Sequence, residues 1–132
     1  SYHIFQKISR SNARHMVLSL AHWLRAAGKR GLVLTLDISR YLVLSRPAEP
    51  ADGFYHSSSA TLDAYEVLRE FIDETDDLEG CFIVVTAPRE FLTDEKRGLS
   101  RYDALKLRIW DEVHDRLRSN PASSLVRLQG NG

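Results

Sequence analysis

Apolar residues recur early in the chain at Ala13, Met16, Val17, Leu20, Leu24 and Ala27, at offsets of 3, 4, 7, 11 and 14 from the first. Those offsets follow the turn of an α-helix and predict one amphipathic helix. Ser11 or Asn12 is expected to cap its start, because a short side-chain oxygen there accepts a free backbone N–H. Gly28 is expected to end it, since glycine enters the left-handed region without steric cost. Lys29 and Arg30 then place positive charge at the carbonyl end. From Gly31 to Ile38 the pattern changes to a nearly continuous apolar run, rich in branched residues. The absence of alternation predicts a parallel strand covered on both faces.

The same two patterns return later. Ser45 to Ser59 is rich in Pro, Gly and Ser and reads as an exposed, mobile loop. A second helix is predicted over residues 59–74, with Ala64, Val67, Leu68, Phe71 and Ile72 inward and Asp63 in its first turn. An acidic exit through Asp73, Glu74, Asp76, Asp77 and Glu79 leads to Gly80. A second buried strand, Cys81 to Val85, follows, ending at Thr86-Ala87-Pro88 because proline cannot continue a ladder. A polar loop, 89–99, leads to Ser100, expected to cap a third helix with Asp103 as its box partner. Ala104, Leu107, Trp110, Val113 and Leu117 form its expected inner face, Asn120-Pro121 its end, and Ser124 to Leu128 a short last strand.

Helices alternating with buried strands predict an α/β fold of three layers around a small, mainly parallel sheet. The whole of 1–132 reads as a single α/β domain or part of one. Three strands are few for that architecture, so the chain is expected to be the later portion of a larger doubly wound domain. Ser1 in place of an initiator Met fits that expectation.

Composition narrows the function classes. With 43% hydrophobic and 27% charged residues in 132, the chain matches average globular proteins. Lys+Arg and Asp+Glu both total 18, so no net charge draws it to nucleic acid or anionic membrane. No apolar run is long enough to span a bilayer, and no signal-peptide core is present. The lone Cys81 forms no internal disulfide and reads as an inert core thiol, so a reducing, cytoplasmic setting is expected. His15 and His22, seven apart, are too far along a helix to share a metal. Trp23 and Trp110 read most simply as packing residues, with Trp23 off the main stripe.

In open α/β sheets, sites form beyond the carboxyl ends of the strands. Asp37 and Thr86 stand at those ends. An apolar strand ending in Asp is the Walker B pattern, whose carboxylate orders the water shell of a Mg²⁺ on nucleotide phosphates. The plainer and commoner role of such an Asp is to cap the next turn. No phosphate-binding glycine loop accompanies it. The Gly-Lys pair, Gly28-Lys29, is a helix stop with Arg30 where a P-loop has Ser or Thr. Arg40, Arg89, Arg101 and Arg108 lie near the expected crevice. One of them as an arginine finger is the sharper reading, solvated or ion-paired surface arginines the commoner one.

Together these residues resemble a family. Ser11 to Met16 through Gly28, followed by Gly31 to Asp37, looks like the helix and Walker B strand of the ATP-binding proteins of BREX phage-defence systems. Those are P-loop ATPases related to the AAA and STAND groups. Tyr65 to Asp73, Cys81 to Leu92 and Gly98 to Arg108 look like the helix, sensor strand and following run. The resemblance covers about residues 10–118. It implies ATP and Mg in the complete protein, with Asp37 as Walker B carboxylate and Thr86 as sensor. Arg89 is the expected nucleotide contact. Phosphate binding is expected from a separate segment, so no cofactor is expected on this chain alone. Ile38 stands where AAA-type ATPases carry a Glu that polarises water, which implies slow hydrolysis or another base. Protein partners or self-association are expected, and nucleic-acid binding is not. The alternative reading is a non-catalytic α/β protein-interaction domain.

Overall fold

The computed structural model describes residues 7–46, 55–110 and 124–128. The element order is α1 (Ala13–Ala26), β1 (Leu32–Asp37), a 3₁₀ turn (Ser39–Leu42), α2 (Ser58–Asp73), β2 (Cys81–Thr86), α3 (Glu90–Thr93) and α4 (Asp103–Ile109). Short 3₁₀ turns at Thr75–Asp77 and Leu99–Arg101 complete it. The α/β class with a small parallel sheet is as read from the sequence: β1 and β2 pair in parallel, Leu32 opposite Cys81 and Asp37 opposite Thr86.

The ends of α1 show how local chemistry sets an element. Asn12 occupies the cap position, but its side chain does not cap the helix. Its Oδ1 instead accepts from the Ser9 N–H at 2.7 Å, while the Ala13 N–H donates to the Ser9 carbonyl. The expected side-chain cap is therefore replaced by a backbone turn. At the other end Gly28 has φ +80°. Its N–H donates to Arg25 O at 3.0 Å and the Lys29 N–H to Leu24 O at 2.9 Å. Those two bonds satisfy carbonyls the helix leaves open, the Schellman arrangement. Gly31 answers a different demand: a Cβ there would lie 2.4 Å from the Gly80 carbonyl oxygen.

Helix α2 begins at Ser57, whose hydroxyl accepts from Ala60 N–H at 3.1 Å. Starting there puts Asp63 beyond the first turn. It pairs with Arg10 at 3.0 Å rather than complementing the helix end. The expected loop shrinks at its far end, since Ser58 and Ser59 are helical; residues 47–54 of it lie outside the described residues. The expected polar loop at 89–99 contains the short helix α3. The Ser100 box does not form: its hydroxyl donates to the Asp94 carbonyl at 3.3 Å, and the helix starts at Asp103. That later start rotates the inner face to Tyr102, Leu105 and Ile109 and leaves Leu107 81% exposed. Val113, Leu117 and the Asn120-Pro121 end fall outside the described residues.

The core is not a sandwich on the strands. Ile38, Leu42, Tyr65, Leu68, Phe91, Leu99 and Leu105 form one buried cluster, beside the carboxyl ends of the strands where α2, α3, α4 and two 3₁₀ turns converge. The expectation of strands covered on both faces fails at Val33 and Phe82, register partners that are 69% and 65% exposed. Alternation reappears along β1, with Leu32, Leu34 and Leu36 half-buried and Val33, Thr35 and Asp37 exposed. Residues 124–128 form no strand. Among the described residues no third strand flanks the pair, and Val126 and Leu128 are exposed.

Candidate site at the carboxyl ends of the strands

Strand register brings Asp37 and Thr86 side by side. They are direct partners at the last position of adjacent parallel strands. The Ile38 N–H donates to the Thr86 carbonyl at 3.0 Å, extending the ladder one step. Residues paired across a ladder point to the same face, so carboxylate and hydroxyl share the exposed side. The Thr86 hydroxyl makes one long contact, 3.5 Å to the Leu36 carbonyl.

The Asp37 carboxylate accepts the Ser39 N–H at 2.9 Å. This closes the turn into the 3₁₀ segment, so the capping role does exist. That bond, with a second from the Ser39 side chain and the nearby Arg40 charge, holds the carboxyl below the usual carboxylate range. Asp37 is thus anionic at neutral pH while still facing solvent.

The arginines divide. Arg89 is exposed at the position before α3, close in sequence to Thr86, and Arg40 lies next to Asp37. Arg101 is exposed in the 3₁₀ turn after α3. Arg108 is engaged elsewhere: its Nη2 donates to Asp73 Oδ2 at 2.9 Å and its Nη1 to the Ala104 carbonyl at 2.5 Å. It serves as a clamp between α2 and α4, as the commoner, ion-paired reading of these arginines has it. His15 and His22 are exposed on α1, and among the described residues no cluster of His, Cys, Asp and Glu could hold a metal. Burial pushes the Cys81 thiol up, in keeping with an inert thiol. Trp110 packs against the core, whereas Trp23 is exposed.

Sequence reasoning missed the polar centre below this edge. Arg97 is 6% exposed. Its Nη1 donates to the His56 carbonyl at 2.8 Å and the Thr61 hydroxyl at 2.9 Å, and its Nη2 to the Tyr55 hydroxyl at 2.9 Å. Its own carbonyl accepts from the Tyr65 hydroxyl at 2.5 Å. His56 stacks on Tyr41 with ring centroids 4.0 Å apart. These contacts fasten the chain entering α2 onto the segment after α3. Nothing in local periodicity marks Arg97, which sits in a run of charged residues; Tyr65, three before Leu68, was at least at helical spacing.

A shallow, open depression near the strand ends is lined by Leu42, Val43, Leu44, Pro88, Glu90 and Asp94.

The model of the family described as BREX system ATP-binding protein BrxC/D matches residues 1–130. The chain belongs to this BREX ATP-binding family. No curated protein and no solved structure matches it. Family membership carries the phage-defence and ATP-binding association of the sequence-level resemblance. No helix among the described residues is long and apolar enough to cross a membrane.

Proposed function

We propose that this chain contributes the Walker B-type edge of a Mg-ATP site in a BREX ATPase related to the AAA and STAND groups. Asp37 is the carboxylate that orients metal-bound water, Thr86 the sensor hydroxyl, and Arg89 a cationic contact to the nucleotide. The observation carrying this reading is the register: an anionic carboxylate and a hydroxyl at paired positions on the exposed ends of two parallel strands. The donor set fits magnesium, which keeps several waters and is held by one or two carboxylates plus phosphates rather than by a protein cage. Bound there, the metal would neutralise charge developing on the phosphates.

The chain's own part is limited. Asp37 is fixed by the Ser39 N–H and kept ionised. Thr86 offers a hydroxyl one strand away. Ile38, the position where AAA-type ATPases place a glutamate, turns inward and is buried in the core, so it offers no base to attacking water. Hydrolysis then depends on a group from elsewhere, and phosphate binding on a segment bearing a glycine-rich loop. Self-association or a protein partner, and a cytoplasmic setting, belong to this same reading.

The test is Asp37→Ala in the complete ATP-binding protein. Mg-ATP turnover is expected to fall to background while the circular dichroism spectrum is unchanged. A folded variant turning over at the parent rate removes Asp37 from the site.

A further inference from the structure

The polar centre around Arg97 is joined to the strand ends through a single hydroxyl. Thr61, near the start of α2, is buried. Its Oγ1 accepts from Arg97 Nη1 at 2.9 Å and lies 3.1 Å from two carbonyls, those of Tyr41 and Ser57. The Ser57 carbonyl already takes the Thr61 N–H at 3.0 Å. The Tyr41 carbonyl belongs to the 3₁₀ turn, Ser39–Leu42, whose first N–H is the donor on Asp37. The Tyr41 ring is held as well, stacked on His56, whose carbonyl accepts from the same Arg97 Nη1. Both ends of the turn are thus tied, one to Asp37 and the other to Thr61 and Arg97.

Apolar anchoring alone does not achieve this. Ile38 and Leu42 seat the turn in the core, but hydrophobic contact has no direction. A hydrogen bond weakens steeply once bent, so the bond to the Tyr41 carbonyl fixes how the turn is rotated on its seat. Arg97 serves as an anchor because its own backbone is fixed. Its N–H donates to Asp94 Oδ1 at 2.6 Å, and its carbonyl accepts from the Tyr65 hydroxyl. Buried polar networks satisfied in this way rigidify what they join.

We propose that Arg97 and Thr61 are positioning residues for the Asp37 carboxylate. The guanidinium orients the Thr61 hydroxyl, and the hydroxyl holds the Tyr41 carbonyl. The turn so fixed presents the Ser39 N–H that aims the carboxylate. This rests on the Walker B reading of Asp37 and adds to it the buried groups that preorganise the site, where a misplacement of about 1 Å can cost ~100-fold in rate.

The experiment has two arms. In this chain the Asp37 carboxyl is titrated by carbon NMR. Ser39 and Arg40, both in the turn, hold its value low. Thr61→Val releases the turn and should raise it toward the ordinary 3.8; Thr61→Ser, which keeps the hydroxyl, should restore the parent value. In the complete ATP-binding protein, Thr61→Val should lower kcat for Mg-ATP at least about tenfold with KM little changed, the pattern of an interaction made only in the transition state. Asp73→Asn loosens the ion pairs between α2 and α4 and controls for stability alone, so it should move neither readout. A folded Thr61→Val with the parent titration or the parent kcat overturns the proposal. So does a Thr61→Ser no better than Thr61→Val, or an Asp73→Asn that lowers kcat as far. Where the buried Thr61→Val fails to fold, the half-buried His56→Ala, which removes the stack on Tyr41, decides: the same shifts at smaller size support the proposal, and parent values overturn it. Failure of the ATP-site reading is distinct, since Asp37→Ala at the parent rate removes that reading while the titration still decides whether Thr61 positions the carboxylate.

Discussion

Tyr65 is 0% exposed, yet it carries a hydroxyl, and that hydroxyl donates to the Arg97 carbonyl. A buried polar group is tolerated only with a partner, and removing one side strands the other. Tyr65→Phe is therefore expected to lower unfolding free energy by about 1–3 kcal/mol in urea denaturation, with no change in helix content. Burial also pushes the Tyr65 phenol up to about 12. Because the folded pKa lies above the unfolded one of about 10, this group's stabilisation is complete below pH 10. It is lost as pH rises from there toward 12. Thermal melts across that range should show an alkaline decline that Tyr65→Phe reduces. Arg97, equally central, buries a guanidinium among neutral acceptors in a planar fork that lysine cannot reproduce.

The bond between α2 and α4 shows chemistry that belongs to elements rather than to single residues. Arg69 on α2 reaches Glu66 at 2.7 Å and Asp73 at 2.5 Å. Arg108 on α4 grips Asp73, and the Tyr102 hydroxyl donates to Glu66. Hydrogen bonds from Arg108 onto Asp73 and from Arg69 onto Glu66 hold both carboxyls below their ordinary values of 3.8 and 4.5. With folded values depressed, the clamp's stabilisation is present above those ordinary values and is lost as pH falls through the lower folded ones. Asp73→Asn should therefore narrow the difference between denaturation midpoints measured at pH 7 and pH 3. Both acids stay partly open to solvent, so high salt should weaken the same effect. This clamp was hidden in sequence: Arg69 with Asp73 is an ordinary i, i+4 pair, but Arg108 joins them from 35 residues away. The helices themselves were legible, since α1 and α2 repeat apolar residues at helical spacing. The face of α4 was misread at Leu107 because its start at Asp103, two residues after a 3₁₀ turn, decides which side chains point inward.

At the scale of the molecule, the helices gather on one side of the core and leave one face of the two-stranded parallel sheet open at Val33 and Phe82. Val33 and Phe82 stand together on the open face, and no third strand pairs with either edge among the described residues. Parallel sheets ordinarily bury both faces, and open edges template further pairing. Concentration-dependent self-association is expected for the isolated chain by size-exclusion chromatography with light scattering. Phe82→Ser should reduce it with little change in melting temperature, because that ring contributes little to the core. A strictly monomeric parent chain at high concentration would remove this expectation.

Periodicity and turn chemistry were sufficient for some of this. The spacing of α1, the Gly28 stop, both strands and the positions of Asp37 and Thr86 at their ends are all local, so neighbouring residues alone determine them. Whether those two ends lie together was a matter of strand pairing across about 50 residues of chain, and only the fold decided it. The same holds for the core. Apolar strand residues look alike in sequence whether or not anything covers them, so the fold alone left Val33 and Phe82 open and gathered Tyr65, Phe91, Leu99 and Leu105 beyond the strand ends. Burial is a property of what arrives from elsewhere in the chain, and no local pattern encodes that arrival.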